Sequence, residues 1–313
     1  MKTKPNQRSV SGLTTYGFTI ALFGLTWLVF LFSPVHQITD SSYSMLLSQN
    51  LLEHQSFKLD SYALPRLEPM NRGYYISNGS IYQLERANGH VYYQLPPGTS
   101  ILSVPYVALM KLFGVMARNA DGTYNPQGEE TIEISLAALL MATFTVLSFV
   151  SARLLLPVGW SAVVALFAAF GTQVWSTASR AMWSDAWGIV IIGTVVLMLL
   201  AREIGKWTLN PFCLATLLAW SYFVRPTNAV TIIAVSIYVA LYHRQVFWRF
   251  AFTGAAWFGG FVFYTWYNYR RFLPSYYQSE RLNFSVFWTA VAGNLVSPAR
   301  GLLVYVPALL FVG

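Results

Sequence analysis

The chain has 313 residues, of which 55% are hydrophobic, 17% aromatic and only 10% charged, against about 25% charged residues in ordinary soluble domains. So few charges cannot solvate the surface of a soluble domain of this size, and the composition therefore indicates a polytopic membrane protein. We assign the formal net charge of +8 to membrane orientation and lipid headgroups, and we expect no nucleic-acid partner.

The N-terminal part predicts a short cytoplasmic tail followed by a first membrane span. Residues 1–12 carry three basic residues and no acid, and residues 13–33 form an apolar run that can cross about 30 Å of hydrocarbon. The run lacks a small-residue cleavage site before Pro34, which distinguishes it from a signal peptide. We predict a retained span with the N-terminus in the cytoplasm.

Residues 34–133 form a long, mostly polar segment, which we interpret as the first extracytoplasmic loop. Apolar residues between 43 and 51 recur at helical spacing and predict an amphipathic helix along the membrane surface. Weak alternation between 73 and 93, with turn signals at Asn78-Gly79 and Asn88-Gly89, indicates a small hairpin. The loop is therefore expected to contain interfacial helices and one hairpin.

The apolar run 100–117 leaves two topologies, because it is short and is interrupted by Pro105, Lys111 and Gly114. If the run lies on the membrane surface, the short cytoplasmic loops hold five basic residues and the short outer loops hold two. A crossing would invert that ratio. The positive-inside rule therefore favours the surface placement.

Residues 134–313 are predicted to form the transmembrane bundle. The expected crossings lie at about 134–156, 161–176, 186–201, 209–223, 229–242 and 250–267, with a last apolar run from 301. Together with the first span, these make about eight transmembrane helices in an all-α protein. The last run stops in mid-membrane, so we expect the natural protein to be longer at its C-terminus.

Four ionisable residues lie near predicted span ends on the outer side: Asp40, Arg180, Asp185 and Arg225. Charges close to hydrocarbon are costly and tend to mark functional sites. Structural alternatives exist: either acid could cap a helix, Arg180 could form a salt bridge with Asp185, and Arg225 could snorkel to the interface. As a set, carboxylates that deprotonate a hydroxyl and arginines that hold a phosphate suit a phosphate-linked lipid donor.

Three short segments carry a resemblance to a known family: NGHVYYQLPPG at 88–98, SRAMWSD at 179–185 and VRPTN at 224–228. Together with the order of first span, aspartate, long outer loop and helix bundle, they make the chain resemble the GT-C superfamily. Within that superfamily it is similar to the phospholipid-carrier-dependent glycosyltransferases, a group that includes protein O-mannosyltransferases and aminoarabinose transferases.

The resemblance implies roles for the outer charged residues. Asp40 corresponds to the loop aspartate that acts as the base on the acceptor or organises the catalytic centre. Arg180 and Asp185 resemble an Arg…Asp pair at the start of a later span, and Arg225 resembles a basic residue that contacts lipid phosphate. The chain departs from the mannosyltransferases, which commonly have Asp-Glu where this sequence has Asp40-Ser41.

Three further residues are candidate substrate contacts: His36, Tyr93 and Arg270. His36 is close to Asp40 in sequence, and Arg270 lies in a second outer segment rich in tyrosine. For His36 and Arg270 the structural alternative is an ordinary interfacial position. Many enzymes of the resembled group use a divalent cation, and a site between Asp40 and Asp185 is left open.

These observations predict an inverting sugar transfer on the outer face of the cytoplasmic (inner) membrane. The donor would be a polyprenyl-phosphate sugar, and the acceptor a glycan, lipid or protein hydroxyl. The prediction requires Asp40, Arg180 and Arg225 to meet within a few ångströms. The competing class is a transporter or flippase of a lipid-linked or anionic solute, which would place charges near mid-membrane and show related halves.

Overall fold

The computed structural model describes residues 7–34, 41–64, 82–277, 284–298 and 301–306. Within these ranges the chain is mostly helical, which confirms the predicted all-α class in outline. The described α-helices, in chain order, are α1 (Gln7–Leu31), α2 (Ser44–His54), α3 (Gly98–Leu112), α4 (Pro126–Arg153), α5 (Val158–Phe170), α6 (Ser184–Glu203), α7 (Pro211–Val224), α8 (Ala229–Tyr242), α9 (Arg244–Tyr269), α10 (Phe287–Val296) and α11 (Leu302–Tyr305). Two short strands, β1 (Leu84–Ala87) and β2 (His90–Tyr93), pair antiparallel, and a π-helical turn, Val174–Ala178, follows α5.

Three of the described helices, α4, α6 and α9, are long and apolar enough to cross a membrane. The predicted spans at 13–33, 161–176, 209–223 and 229–242 overlap shorter apolar helices, α1, α5, α7 and α8, and most of the last predicted run lies outside the described residues. Large side chains on α9, such as Phe252, Phe258 and Phe263, are more than 60% exposed and form an apolar surface suited to lipid. The helices therefore fit a membrane protein, and the number of crossings stays a prediction.

Helix α4 lies at the centre of the bundle, where it packs against α1, α5 and α6. Its start follows from the local sequence: the Asn125 side chain accepts the Gly128 N–H at 3.1 Å, and Pro126 occupies the first helical position. The helix therefore begins well before the predicted boundary at 134. Its first two turns include Glu129 and Glu133, which the sequence had suggested were loop residues.

Helix α2 forms where the amphipathic pattern predicts it, but its surroundings differ from the prediction. Residues 44–50 are all buried, and the helix packs against α3 and α4. Its polar side chains find partners inside the protein: Ser48 Oγ donates to the Ser100 carbonyl at 2.8 Å, and Asn50 Nδ2 donates to the Lys58 carbonyl at 2.9 Å. Protein, rather than lipid or solvent, therefore covers this helix, and its predicted placement along the membrane surface stays a prediction.

The hairpin confirms the turn signal at Asn88-Gly89. Both residues have positive φ, 50° and 80°, as a two-residue hairpin turn requires. Asn88 Nδ2 donates to the Asn268 carbonyl at 2.9 Å and so ties the turn to the end of α9. The second turn signal, Asn78-Gly79, lies outside the described residues.

Gly98, the last residue of the PPG stretch, lies where α3 meets the end of α7. A Cβ atom there would stand 2.4 Å from the Phe223 carbonyl carbon and oxygen. Overpacking of this kind costs about 1–3 kcal/mol, so we expect Gly98→Ala to lower the thermal unfolding midpoint in detergent by roughly 5 °C. Gly24→Ala is the control, because a Cβ at Gly24 meets no atom within 4 Å. Equal midpoints for the two variants would contradict this close approach.

Candidate functional site

Asp185 and Arg225 form an ion pair between the first turn of α6 and the end of α7. Arg225 Nη1 donates to Asp185 Oδ2, and Arg225 Nε donates to Thr227 Oγ1 at 3.1 Å. The two side chains are 45% and 35% exposed, so their attraction contributes only about 0–1 kcal/mol to stability. Two of the four predicted outer residues, far apart in sequence, are thus brought together and remain accessible to a ligand.

Arg180 lies in the connection between the π-helical turn and α6, and it is only 5% exposed. Its Nε donates to the Trp175 carbonyl at 2.7 Å, and its guanidinium lies 4.0 Å from the centre of the Trp175 ring. Within the described part of the chain, Nη1 has no hydrogen-bond partner and no carboxylate pairs with the guanidinium. The suggested salt bridge with Asp185 does not form, because Asp185 pairs with Arg225 instead.

A buried guanidinium without a carboxylate is an unusual arrangement. Burial lowers the pKa of Arg180, yet a guanidinium stays charged in proteins. An unpaired buried donor costs about 1–3 kcal/mol, and more when it is charged. Trp183 Nε1, three residues further on, is also buried and also lacks a partner among the described residues. An anionic ligand would supply acceptors for both groups.

A cavity of about 590 Å³ lies between α4, α5 and α6, a volume within the range of about 300–1,000 Å³ that is usual for ligand sites. We call it the apolar groove, because aliphatic and aromatic side chains line most of it. Asp185 and Asn228 form its polar lining at one end, and Leu155 and Leu200 line the opposite end. Along α6 the groove runs from Asp185 to Leu200, roughly 22 Å at 1.5 Å per residue. The Asp185–Arg225 pair therefore stands at the polar end of a long apolar channel.

The other predicted site residues fall elsewhere. Asp40 and His36 lie outside the described residues, so the expected meeting of Asp40 with the two arginines stays a prediction. Tyr93 is buried in the hairpin, and its carbonyl lies 3.5 Å from the Tyr269 hydroxyl, which donates to it. Arg270 is exposed just beyond α9, with φ of 54°. The structure thus places Tyr93 in the packing of the hairpin on α9 and leaves Arg270 on the surface.

Glu129 is a buried carboxylate that the sequence interpretation missed. It accepts the N–H groups of Tyr43, Met45 and Leu46 at 2.7, 2.6 and 3.1 Å, and also the hydroxyl of Tyr124. Burial, followed by the charge of Glu129, raises the pKa of Tyr43 and of Tyr124. These amides belong to the start of α2, so Glu129 provides the cap for which Asp40 had been the sequence candidate.

Glu133 lies one turn further along α4 and is 9% exposed. Its Oε2 accepts the Ser41 hydroxyl at 3.0 Å, and its Oε1 lies 3.4 Å from the Ser44 hydroxyl. The sequence did contain a usable signal for both glutamates: Asn125-Pro126 marks a helix start, and two acids four residues apart then share a helix face.

Within the described residues, no three histidine, cysteine, aspartate or glutamate side chains come together as a metal site. The suggested cation site between Asp40 and Asp185 falls partly outside those residues, and it stays a prediction.

Comparison with protein-family models, curated proteins and solved structures gave no match to this chain. The resemblance to the GT-C superfamily therefore rests on its sequence motifs alone.

Proposed function

We propose that this chain is a GT-C-like glycosyltransferase that moves a sugar from a polyprenyl-phosphate donor to an acceptor on the extracytoplasmic face of the cytoplasmic membrane. One observation carries the proposal: Arg180, which is buried and has no carboxylate partner among the described residues, precedes by five residues the polar end of an apolar groove. The buried guanidinium suits the phosphate of a polyprenyl phosphate, and the adjoining apolar groove suits its prenyl chain.

The donor phosphate would contact Arg180, and the prenyl chain would occupy the apolar groove. Arg180 and Asp185 are five residues apart, so their Cα atoms are separated by at most about 17 Å. Arg225, held by Asp185, adds a second guanidinium at the groove end. Arginine suits this role because its planar fork of donors matches phosphate oxygens.

The chemistry follows as a single displacement. Asp40 accepts the proton of the acceptor hydroxyl while that oxygen attacks the anomeric carbon, and the bond from that carbon to the phosphate oxygen breaks. Polyprenyl phosphate leaves as a stable anion and needs no acid, and the attack inverts the anomeric centre. Fixed positive charge at the departing phosphate stabilises the transition state. Because Asp185 is engaged by Arg225, we derive no step through a metal ion.

The proposal includes about eight transmembrane helices, with the N-terminus in the cytoplasm and the Asp185–Arg225 pair on the outer side. Support comes from the membrane-length helices α4, α6 and α9, and from the shorter apolar helices α1, α5, α7 and α8 at four further predicted spans. The donor lipid would enter the apolar groove from the membrane.

The apolar groove also favours a second candidate, a flippase of a lipid-linked solute. A flippase must move a polar headgroup across the bilayer and needs polar groups near the midplane. In this groove the charged lining is Asp185 at one end, and Ser148 and Ser151 are the polar residues along its length. The concentration of charge at one end favours the enzyme.

Transfer of radiolabel from a polyprenyl-phosphate sugar in membranes that contain this protein tests the proposal. We expect the wild type to transfer label and Asp40→Asn to lower turnover by about 10²- to 10⁴-fold at normal protein level, because a general base supplies a factor of that size. Asp121→Asn, a change in an exposed loop, is the control. Unchanged turnover in Asp40→Asn would remove Asp40 from this role, and donor translocation without transfer would favour the flippase.

A further inference from the structure

The segment that directly follows Asp40 is held in place by two carboxylates from the start of α4. Glu129 receives the backbone N–H groups of Tyr43, Met45 and Leu46, and Glu133 receives the hydroxyl of Ser41. These contacts join positions 83 to 92 residues apart in sequence. Residues 41–46 therefore have a fixed register on α4, set by side chains that are almost completely buried.

Packing around these bonds makes the arrangement rigid. Tyr43 has φ of 72°, a left-handed conformation that a residue with a side chain seldom adopts, and its ring stacks on Tyr124 at 4.2 Å between centroids. The Tyr124 hydroxyl donates to the same Glu129 carboxylate. One carboxylate thus fixes both the backbone turn and the aromatic pair that covers it.

The same helix also lines the apolar groove. Phe144, Leu147 and Ser148 of α4 line its wall, and Phe144 is eleven residues beyond Glu133, roughly 17 Å along the helix at 1.5 Å per residue. Because α4 is one continuous helix, the distance between Glu133 and Phe144 is fixed. The carboxylates at one end of α4 and the groove at the other therefore have a fixed relation.

We infer that Glu129 and Glu133 are positioning residues, which hold residues 41–46, the segment directly after Asp40, at a set place relative to the donor groove. The kinetic consequence of this inference rests on the proposed function. The hydrogen bonds between α4 and residues 41–46, which we call the tether, are independent of that function.

Hydrogen exchange tests the tether without any assay of activity. In Glu129→Gln one acceptor oxygen becomes an amide nitrogen, so at least one of the bonds to Tyr43, Met45 or Leu46 is lost. We expect the peptide that contains these amides to exchange at least about tenfold faster than in the wild type. Glu130→Gln, an exposed acid on the same turn, should leave the exchange unchanged. Equal exchange in Glu129→Gln and the wild type would overturn the tether.

Kinetics then test positioning. We expect Glu133→Gln to lower kcat at least about tenfold with the KM for the donor unchanged, because the groove and Arg180 are untouched. Glu133→Gln replaces one of the two acceptor oxygens by an amide nitrogen, and Ser41→Ala removes the hydroxyl that donates to Glu133. Ser41→Ala should therefore lower kcat similarly and add nothing in the Glu133→Gln background. A merely structural role would instead lower the amount of folded protein and leave kcat per folded molecule unchanged, and that result would overturn the inference.

The outcomes separate the two proposals. If the wild type transfers no sugar, the proposed function fails, and the exchange experiment still decides whether the carboxylates hold residues 41–46. If the wild type transfers sugar and both Glu133→Gln and Ser41→Ala keep the wild-type kcat, the positioning role fails while the proposed function stands. If Glu129→Gln does not fold, the kcat values of Glu133→Gln and Ser41→Ala still decide whether the contact between Glu133 and Ser41 has a positioning role.

Discussion

Arg180→Met is expected to abolish most donor-lipid binding while leaving the protein folded. A charge-assisted hydrogen bond contributes about 1.5–3 kcal/mol, so loss of the contact to phosphate should weaken binding of polyprenyl phosphate by about 100-fold. The protein should stay folded, because the loss of the Nε bond to the Trp175 carbonyl and of the ring contact with Trp175 is offset by removal of a buried charge whose Nη1 has no partner within the described residues. Replacement of a buried, incompletely paired charge by an apolar side chain of similar length is often neutral or stabilising.

The measurement is equilibrium binding of polyprenyl phosphate to the protein in lipid nanodiscs, with the thermal unfolding midpoint recorded for the same samples. Arg244→Met, a change at an exposed arginine where α9 begins, is the matched control and should bind as the wild type does. Wild-type affinity in Arg180→Met would remove the guanidinium from the phosphate site. A large fall in the midpoint with unchanged affinity would show a structural role instead.

Val164→Trp is expected to block the apolar groove, whereas the same change at the neighbouring residue should not. Val163 and Val164 are adjacent on α5, both are exposed at 54% and 42%, and Val164 lines the groove. Each buried methylene contributes about 0.8 kcal/mol, so excluding a few carbons of the prenyl chain should raise the KM for a long-chain donor at least about tenfold. A short-chain donor analogue should be affected much less, because it does not extend into the blocked part.

The comparison of the two tryptophan variants uses one assay and one protein preparation. We expect Val163→Trp to stay within about twofold of the wild type for both donors, because its side chain meets the surrounding lipid. If Val164→Trp and Val163→Trp show the same KM for the long-chain donor, the groove does not hold the prenyl chain. If both tryptophan variants raise the KM equally for the long-chain and short-chain donors, the substitutions disturb the folding of α5 and do not act by blocking the apolar groove.

Sequence alone located most of the helices, since apolar runs identify α4 to α9, although α4 begins eight residues before its predicted boundary and α5 ends six residues before its own. It could not identify which charges meet. Arg180 lies five residues from Asp185 and was the obvious partner, whereas the structure pairs Asp185 with Arg225, forty residues away. That choice depends on how the end of α7 packs beside α6, which no local pattern encodes.

The placement of α2 shows a second limit. Its apolar residues recur at helical spacing, and the pattern alone does not distinguish a face that meets lipid from one that meets protein. The polar residues between them, including Ser48 and Asn50, are buried because α3 and the segment after α2 provide acceptors. The N-terminal amides of α2 donate to Glu129, which lies more than eighty positions away. The spacing of apolar residues within one helix cannot predict a contact between residues so far apart in sequence.

The central claim is that the apolar groove binds the prenyl chain of a lipid phosphate whose charge is held by Arg180. The most direct test is photo-crosslinking with a polyprenyl phosphate that carries a diazirine on its prenyl chain. We expect labelled peptides from the groove-lining faces of α4, α5 and α6, with labelling lost on addition of unlabelled donor and in Arg180→Met. Labelling confined to the lipid-facing surfaces of α8 and α9, and insensitive to competition, would contradict the claim.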